Sequence, residues 1–190
     1  MNLLYEPLPE SVVVDGVSYP VVTNFRDWIA FFDMMADDSY SPKDKLIACM
    51  GWFTKEVPEN SLNAWEALLQ FASCEDSPGN SDEDETEKVD SEQNDKTCFS
   101  WVYDSAYILG AYRQCYGIDL RSMPFLHWYE FMALFEALPE DVPLKKRIGY
   151  RSINLSQIKD KERRKQIAEI RRSISIPQNP MNAGQVGAFF

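Results

Sequence analysis

The chain of 190 residues carries 30 acidic and 19 basic side chains, a formal net charge of −11, and 45% of its residues are hydrophobic, enough for one buried core. Residues 75–96 hold 10 acids and 2 bases, whereas residues 145–172 hold 11 bases and 3 acids, so a uniformly acidic protein is excluded. No apolar run approaches the roughly 20 residues that span a bilayer. The start, Met1 to Glu6, lacks the basic segment of a secretory signal, so we expect neither a membrane span nor secretion.

The first predicted element is a β-hairpin over residues 11–22. Two β-branched runs flank the dipeptide Asp15-Gly16, which is a strong signal for a two-residue turn. A helix follows, capped by Thr23 or Asn24 and running to about residue 37. Because two strands alone are marginal in water, we expect the hairpin to pack against the helices.

Two more helices are predicted before residue 75. Ser41-Pro42 begins the second, since Ser is a good cap and Pro suits the first helical position. Asn63 begins the third, with Glu66 completing a capping box. Helical spacing indicates the inward-facing side chains of the three helices: Phe25, Trp28, Ile29, Phe32 and Met35 in the first, Leu46, Ile47, Met50 and Phe53 in the second, and Trp65, Leu68, Leu69 and Phe71 in the third.

Residues 75–97 interrupt this pattern. The segment is almost entirely Asp, Glu, Ser, Asn and Thr, and Val89 is its only large aliphatic residue. Like charges at this density repel one another, and little apolar surface is present to offset the entropy of ordering. We therefore expect a disordered acidic loop on the surface.

The C-terminal half predicts further helices. The longest runs from Phe99 to Tyr116 and ends at Gly117; it is apolar nearly all round, so we expect it to be the central helix. The others are predicted over residues 124–138, 142–150 and 154–174, and the uncharged tail 177–190 is expected to be mobile. The predicted fold class is mainly α, a bundle of about six helices with a short N-terminal β-hairpin, in a single domain over residues 1–176.

The sequence contains little that indicates catalysis. Its one histidine, His127, lies in an aromatic stretch and is expected to be a hydrogen-bonded core residue. The four cysteines show no C-x-x-C spacing and are expected to be reduced. No G-x-G-x-x-G, P-loop or H-E-x-x-H motif occurs. We therefore expect no enzyme activity, no cofactor and no bound metal.

Asp104 is the best candidate for a buried acid, because it lies within an otherwise apolar segment. Buried charges in proteins are normally paired. We expect its carboxylate to pair with an arginine, and the sequence leaves three partners open: Arg113, Arg121 or Arg151.

The basic region 145–172 admits three interpretations. Ile158, Ile167, Ile170 and Ile174 form a narrow apolar stripe, while residues 159–166 are polar on nearly every side, as in a solvated helix. Nucleic-acid binding is disfavoured, because no aromatics are interleaved and the rest of the chain would repel phosphate. The third interpretation is pairing between this region and the acidic loop 75–96, within a subunit or as self-association between neighbours.

Several strings of the sequence resemble a known protein family. They are Phe25-Arg26-Asp27-Trp28, Tyr116-Gly117-Ile118-Asp119-Leu120, Leu126-His127-Trp128 with Phe131 and Ala133-Leu134-Phe135, Gly149-Tyr150-Arg151-Ser152-Ile153-Asn154-Leu155-Ser156, and Ile158-Lys159-Asp160-Lys161-Glu162. The likeness covers most of residues 5–176 and is most specific in the C-terminal half. The family occurs in long-tailed phages and prophages of Gram-positive bacteria, encoded between the major tail protein and the tape-measure protein.

The resemblance implies a tail-assembly chaperone that binds the tape-measure protein and keeps it soluble, with the major tail protein as a second candidate partner. It implies a location in the host cytoplasm and absence from the mature virion. No catalytic residues are defined for the family. The candidate residues for partner binding or for the fold are His127, Trp128, Tyr150, Arg151, Lys159, Lys161, Arg163 and Arg164. A structural tail protein retained in the virion, and a regulatory or nucleic-acid adaptor using the basic helix, are the alternatives.

Overall fold

The computed structural model describes residues 2–74 and 98–176. These residues fall into two compact units: unit 1 contains residues 2–74 and 124–134, and unit 2 contains residues 98–123 and 135–176. Seven α-helices and one antiparallel hairpin occur in this part of the chain, which confirms the mainly α fold class. The single-domain assignment stays a prediction, and the predicted acidic loop and C-terminal tail lie outside the described residues.

The elements follow in chain order. Strands β1 (Ser11–Val14) and β2 (Val17–Pro20) precede helices α1 (Phe25–Ala36), α2 (Pro42–Cys49), α3 (Ser61–Ser73), α4 (Ser105–Tyr116), α5 (Trp128–Glu136), α6 (Pro143–Ser152) and α7 (Lys161–Ser173). Short 3₁₀ turns follow α2 and α6. No helix among the described residues combines the length and hydrophobicity needed to cross a bilayer.

The hairpin is formed as predicted. Its register pairs Ser11 with Pro20 and Val14 with Val17. Asp15 and Gly16 both have positive φ angles, 50° and 79°, as a two-residue turn with the twist of the strands requires. The alternating pattern of β1 buries its second and fourth residues, and β1 packs against α3. The hairpin therefore gains from the helices the support that two strands need.

The core of unit 1 is a cluster of aromatic rings. Trp28 stacks on Phe71 with ring centroids 4.8 Å apart, and Trp128 lies 6.3 Å from Trp28. The indole N–H of Trp128 donates to the carbonyl of Ala72 at 2.9 Å. These large rings remove much apolar surface of the unit from water, and the indole N–H of Trp128 keeps a hydrogen-bond partner while it is buried.

Some inward-facing residues of α1 to α3 were predicted wrongly. In α1 the ring of Phe31, which was not predicted to face inward, is fully buried, whereas the predicted Phe32 is half-buried. In α2 the predicted Ile47 is 62% exposed and Cys49 is buried instead. Helix α3 begins two residues earlier than predicted, because the side chain of Asn60 accepts the N–H of Asn63 as its cap. In α1 and α2, tertiary neighbours select a buried stripe that helical spacing alone leaves ambiguous.

The predicted long helix from Phe99 to Tyr116 is shorter in the structure. Residues 98–100 have no regular structure, residues 101–104 form a turn, and α4 begins only at Ser105. The Asp104 carboxylate accepts the N–H of Ser100 and closes this segment on itself. The expectation of a central helix that is apolar nearly all round is also wrong, since one side of α4 is exposed, including Tyr107, Arg113 and Gln114. The predicted end is confirmed: Gly117 has φ 68° and caps α4.

Two other helices begin later than predicted. Residues 124–127 are not helical, and α5 begins at Trp128, because the Phe25 N–H donates to the Leu126 carbonyl and the Trp128 N–H to the Thr23 carbonyl. The basic helix begins at Lys161 rather than Asn154. The side chain of Asn154 caps a 3₁₀ turn instead, and the following helix has its own cap.

Candidate partner-binding surface

A buried ion pair organises the site region of unit 2. The side chain of Asp104 is fully buried and that of Arg151 is 5% exposed. The guanidinium donates to both carboxylate oxygens, at 2.6 and 2.9 Å, in the bidentate arrangement that planar arginine favours. Of the three partners that the sequence left open for Asp104, the structure selects Arg151, while Arg113 pairs with Asp119.

Arg151 also joins distant parts of unit 2. It donates to the carbonyl of Cys98 at 3.0 Å and to the carbonyl of Ile174 at 2.8 Å. One buried side chain on α6 therefore holds the segment before α4 and the end of α7 together. Arg147, one turn earlier on α6, places its Nε 3.6 Å from an oxygen of Asp104.

His127 is a capping residue of unit 1. Its Nδ1 accepts the N–H of Tyr129 at 3.1 Å and its carbonyl accepts the N–H of Phe131 at 2.9 Å, so it begins α5. Because Nδ1 is an acceptor, the ring proton lies on Nε2, which donates to the carbonyl of Pro9 at 3.0 Å. Burial lowers the pKa of His127, more than the Pro9 hydrogen bond raises it. The expected hydrogen-bonded core histidine is confirmed.

Trp128, the neighbour of His127, is fully buried among the rings of unit 1. Both residues thus have defined positions in the fold, and neither presents its ring to solvent. A partner-binding role for His127 or Trp128 stays a prediction, as it does for Arg151, whose guanidinium is engaged as described above.

Tyr150 is an exposed residue of α6, a helix that packs against α4 in unit 2. We call the group Tyr103, Tyr107, Arg147 and Tyr150 the tyrosine surface. The three rings are 53%, 37% and 37% exposed in that order. The Arg147 guanidinium lies 4.2 Å from the centroid of the Tyr107 ring and donates to its hydroxyl at 3.2 Å. Arg147 and Tyr150 are three residues apart on α6, so they share one face of that helix.

The sequence analysis missed most of the tyrosine surface. Only Tyr150 was among the candidate residues, since Tyr103 and Tyr107 were assigned to a buried central helix. The four-residue spacing of these two tyrosines was a usable signal, because residues four apart share a helix face. What the sequence did not show is that the helix begins at Ser105 and leaves Tyr103 on an exposed turn.

The four remaining candidate residues lie in or just before the first turns of α7. Lys159, Lys161, Arg163 and Arg164 are all exposed. Helix α7 is anchored further along, where Ile167 is buried and Arg171 donates to the carbonyl of Ile153. Residues 161–166 are exposed without interruption, as is usual for a stretch of polar side chains.

The described residues contain no group of three His, Cys, Asp or Glu side chains that could hold a metal ion. The four cysteines are free thiols, and burial raises the pKa of Cys49 to about 11. A thiol with so high a pKa is a poor nucleophile at neutral pH. The described residues of unit 2 also expose aromatic side chains on α6, on α4 and on the turn before α4, and basic side chains on α7.

A comparison with models of known protein families shows to which family the chain belongs. The family model described as Bacteriophage Gp15 protein matches residues 4–176. The chain belongs to this family. The resemblance to a phage protein family is therefore confirmed at the level of the Gp15 family. No curated protein and no solved structure matches the chain.

The first prediction concerns the buried ion pair. Replacing Arg151 with Ala removes the bidentate partner of the buried Asp104 carboxylate and leaves only the Nε of Arg147, 3.6 Å away, as a cationic neighbour. This change should lower the free energy of unfolding by about 3–5 kcal/mol. Urea denaturation followed by tryptophan fluorescence measures the change. Arg113→Ala, which removes a solvent-exposed pair, is the control and should leave the midpoint unchanged. Arg151→Lys should fall between Arg151→Ala and the wild type; equal stability of all variants would contradict the assigned role.

The second prediction concerns His127. Its pKa in the folded state lies below the unfolded value of 6.5, so between these values the unfolded state binds more protons. The stabilisation that neutral His127 gives the folded state is therefore fully present above pH 6.5. It is lost as the pH falls through the lower pKa that His127 has in the folded state. His127→Asn keeps a capping side chain without a titrating group. The free energy of unfolding of the wild type should fall relative to that of the variant when the pH is lowered from 7.5 to 5.5, as measured by urea denaturation. A difference between the two proteins that is the same at both pH values would refute this assignment.

Proposed function

We propose that this Gp15-family protein is a phage tail-assembly chaperone that binds the tape-measure protein and keeps it soluble while the tail tube polymerises around it. The proposal rests on family membership, on the resemblance to proteins encoded between the major tail and tape-measure genes, and on the exposed tyrosine surface of unit 2. The major tail protein is a second candidate partner. The action proposed is binding, without catalysis.

The tyrosine surface is the observation that carries the proposal. Large exposed apolar groups on a folded unit often mark sites of protein interaction. Tyrosine and arginine are the residue types that most often dominate the energy of such sites, because they combine a broad apolar face with hydrogen-bonding groups. Here the guanidinium of Arg147 is already held against the Tyr107 ring, so little side-chain entropy remains to be lost on binding.

The chemistry of this surface suits an amphipathic helix. A tape-measure protein is long and helical, so it presents apolar stripes that aggregate until they are covered. An apolar stripe can lie against the rings of Tyr103, Tyr107 and Tyr150, in the manner of a helix bound to an aromatic groove. The hydroxyl groups and Arg147 can then bond with polar side chains that flank the stripe. The chaperone would release the tape measure as tube subunits replace these contacts.

The third prediction tests this assignment by co-purification. The tape-measure protein is co-expressed with the wild type or with the double variant Tyr103→Ser, Tyr150→Ser. Each substitution removes an exposed ring that does not hold the fold, so we expect about a tenfold or greater loss of affinity and a corresponding loss of soluble tape measure. The amounts of soluble and co-purified tape measure are measured by quantitative mass spectrometry.

The matched control is the double variant Tyr5→Ser, Tyr40→Ser, because these two tyrosines are also exposed but belong to unit 1. It should solubilise the tape measure as the wild type does. Failure of the wild type to raise tape-measure solubility would overturn the chaperone proposal. Detection of this chain at subunit stoichiometry in purified virions would favour a structural tail protein instead.

A further inference from the structure

The hairpin of unit 1 leaves the main chain of β1 open along one edge. The Val21 N–H donates to the Glu10 carbonyl at 3.0 Å, and the two-residue turn follows Val14 directly. Because groups that face the neighbouring strand alternate with groups that face away along an antiparallel ladder, the N–H and C=O of Ser11 and Val13 point away from β2. Among the described residues, no hydrogen bond is formed by these four main-chain groups.

The other edge of the hairpin, along β2, is partly occupied. The Thr54 N–H donates to the Pro20 carbonyl at 3.0 Å, and the Val22 N–H donates to the Trp52 carbonyl at 2.9 Å. Pro20 also lacks an N–H, and a proline at a strand edge blocks the addition of a further strand. In the described part of unit 1, β1 therefore has the longer open edge.

Strand β1 is held in its extended conformation from one face only. Val12 and Val14 are buried, and β1 packs against α3, whereas Ser11 and Val13 are exposed and Val13 is 66% accessible. A strand that is already ordered loses little conformational entropy when another chain pairs with it. Unpaired main-chain groups on such a strand are the feature to which an extended peptide binds in β-augmentation.

Two acidic side chains flank the open edge and select what can pair with it. Glu10 and Asp15 lie directly before and after β1, and both are exposed. Neither carboxylate forms an ion pair with any residue that the structure describes. Antiparallel pairing of two copies, with Ser11 opposite Val13, would bring Glu10 of each copy to within one position of Asp15 of the other. Repulsion between these like charges disfavours a second copy and favours a strand with basic ends.

We propose that β1 binds an extended segment of a partner protein by β-augmentation, and that this segment carries lysine or arginine where it passes Glu10 and Asp15. The main-chain groups of Ser11 and Val13 form the hydrogen bonds, and the two carboxylates provide the selectivity. The bound segment becomes a third strand of the sheet. The inference does not depend on the proposed chaperone role, since it concerns unit 1 and not the tyrosine surface.

A basic peptide tests the proposal on the full-length chain. The probe is the acetylated and amidated peptide Lys-Val-Thr-Val-Thr-Lys, and its binding to ¹⁵N-labelled protein is followed by two-dimensional NMR. Saturable shifts of the Ser11 and Val13 amides are expected, together with slower hydrogen exchange of both amides. The same peptide with Glu at both ends should bind about threefold or more weakly at low salt. Absence of saturable shifts in β1, or equal affinity for the two peptides, would overturn the proposal.

Proline substitution distinguishes the two edges of the hairpin. Val13→Pro removes an N–H that points away from β2, so the ladder between β1 and β2 keeps its hydrogen bonds while the affinity for the basic peptide should fall about tenfold. Ser18→Pro is the matched control, because Ser18 lies opposite Val13 and its N–H points outward at the edge of β2. It should bind the peptide as the wild type does. Equal losses in the two variants, or no loss in Val13→Pro, would overturn the proposal.

A charge variant provides a test that leaves the main chain of β1 unchanged. Glu10→Gln combined with Asp15→Asn removes both carboxylates and keeps a good turn, because Asn-Gly forms two-residue turns as readily as Asp-Gly. The variant should bind the Lys-ended and Glu-ended peptides equally, with the amide shifts still located in β1. A preference for the Lys-ended peptide that persists in this variant would overturn the assigned role of the two carboxylates.

Discussion

The arrangement of unit 2 depends on the buried pair of Asp104 and Arg151. Taking two charges out of water is costly, and the cost is offset here because the carboxylate receives both arms of the guanidinium. The same side chain binds the carbonyls of Cys98 and Ile174. Removal of either charge would leave the other buried without its bidentate partner, and the contacts of Arg151 hold α4, α6 and the end of α7 together. The Asp104 carboxylate also accepts the N–H of Ser100 in the segment just before α4.

The sequence predicted those elements whose signals are local. The Asp15-Gly16 turn, the cap at Ser41 and the stop at Gly117 all lie where the residues indicate, because turns and caps depend on the residues at the turn itself. The helix starts at Trp128 and Lys161 were missed, since they are set by pairing with residues 23–25 and by competing caps. For the site, the sequence identified the basic stretch and Asp104 but left its partner open among three arginines. It missed the tyrosine surface because exposure is decided by tertiary packing.

The proposed chaperone role depends on the exposed tyrosine surface of unit 2. The tyrosine surface offers broad apolar contact with a fixed arginine, which suits a helical partner whose sequence varies along its length. Family membership in the Gp15 group agrees with a protein that acts in phage biology, and the assembly role proposed for it requires binding that is reversible. Moderate contacts on an exposed face are suited to such release.

The central claim is that the tyrosine surface binds the tape-measure protein. Hydrogen–deuterium exchange of the full chain, with and without the co-purified tape measure, tests it most directly. The account predicts slower exchange confined to the turn and first half of α4, around Tyr103 and Tyr107, and to the part of α6 that carries Arg147 and Tyr150. Slower exchange confined to unit 1, or no change anywhere in a stable complex, would contradict it.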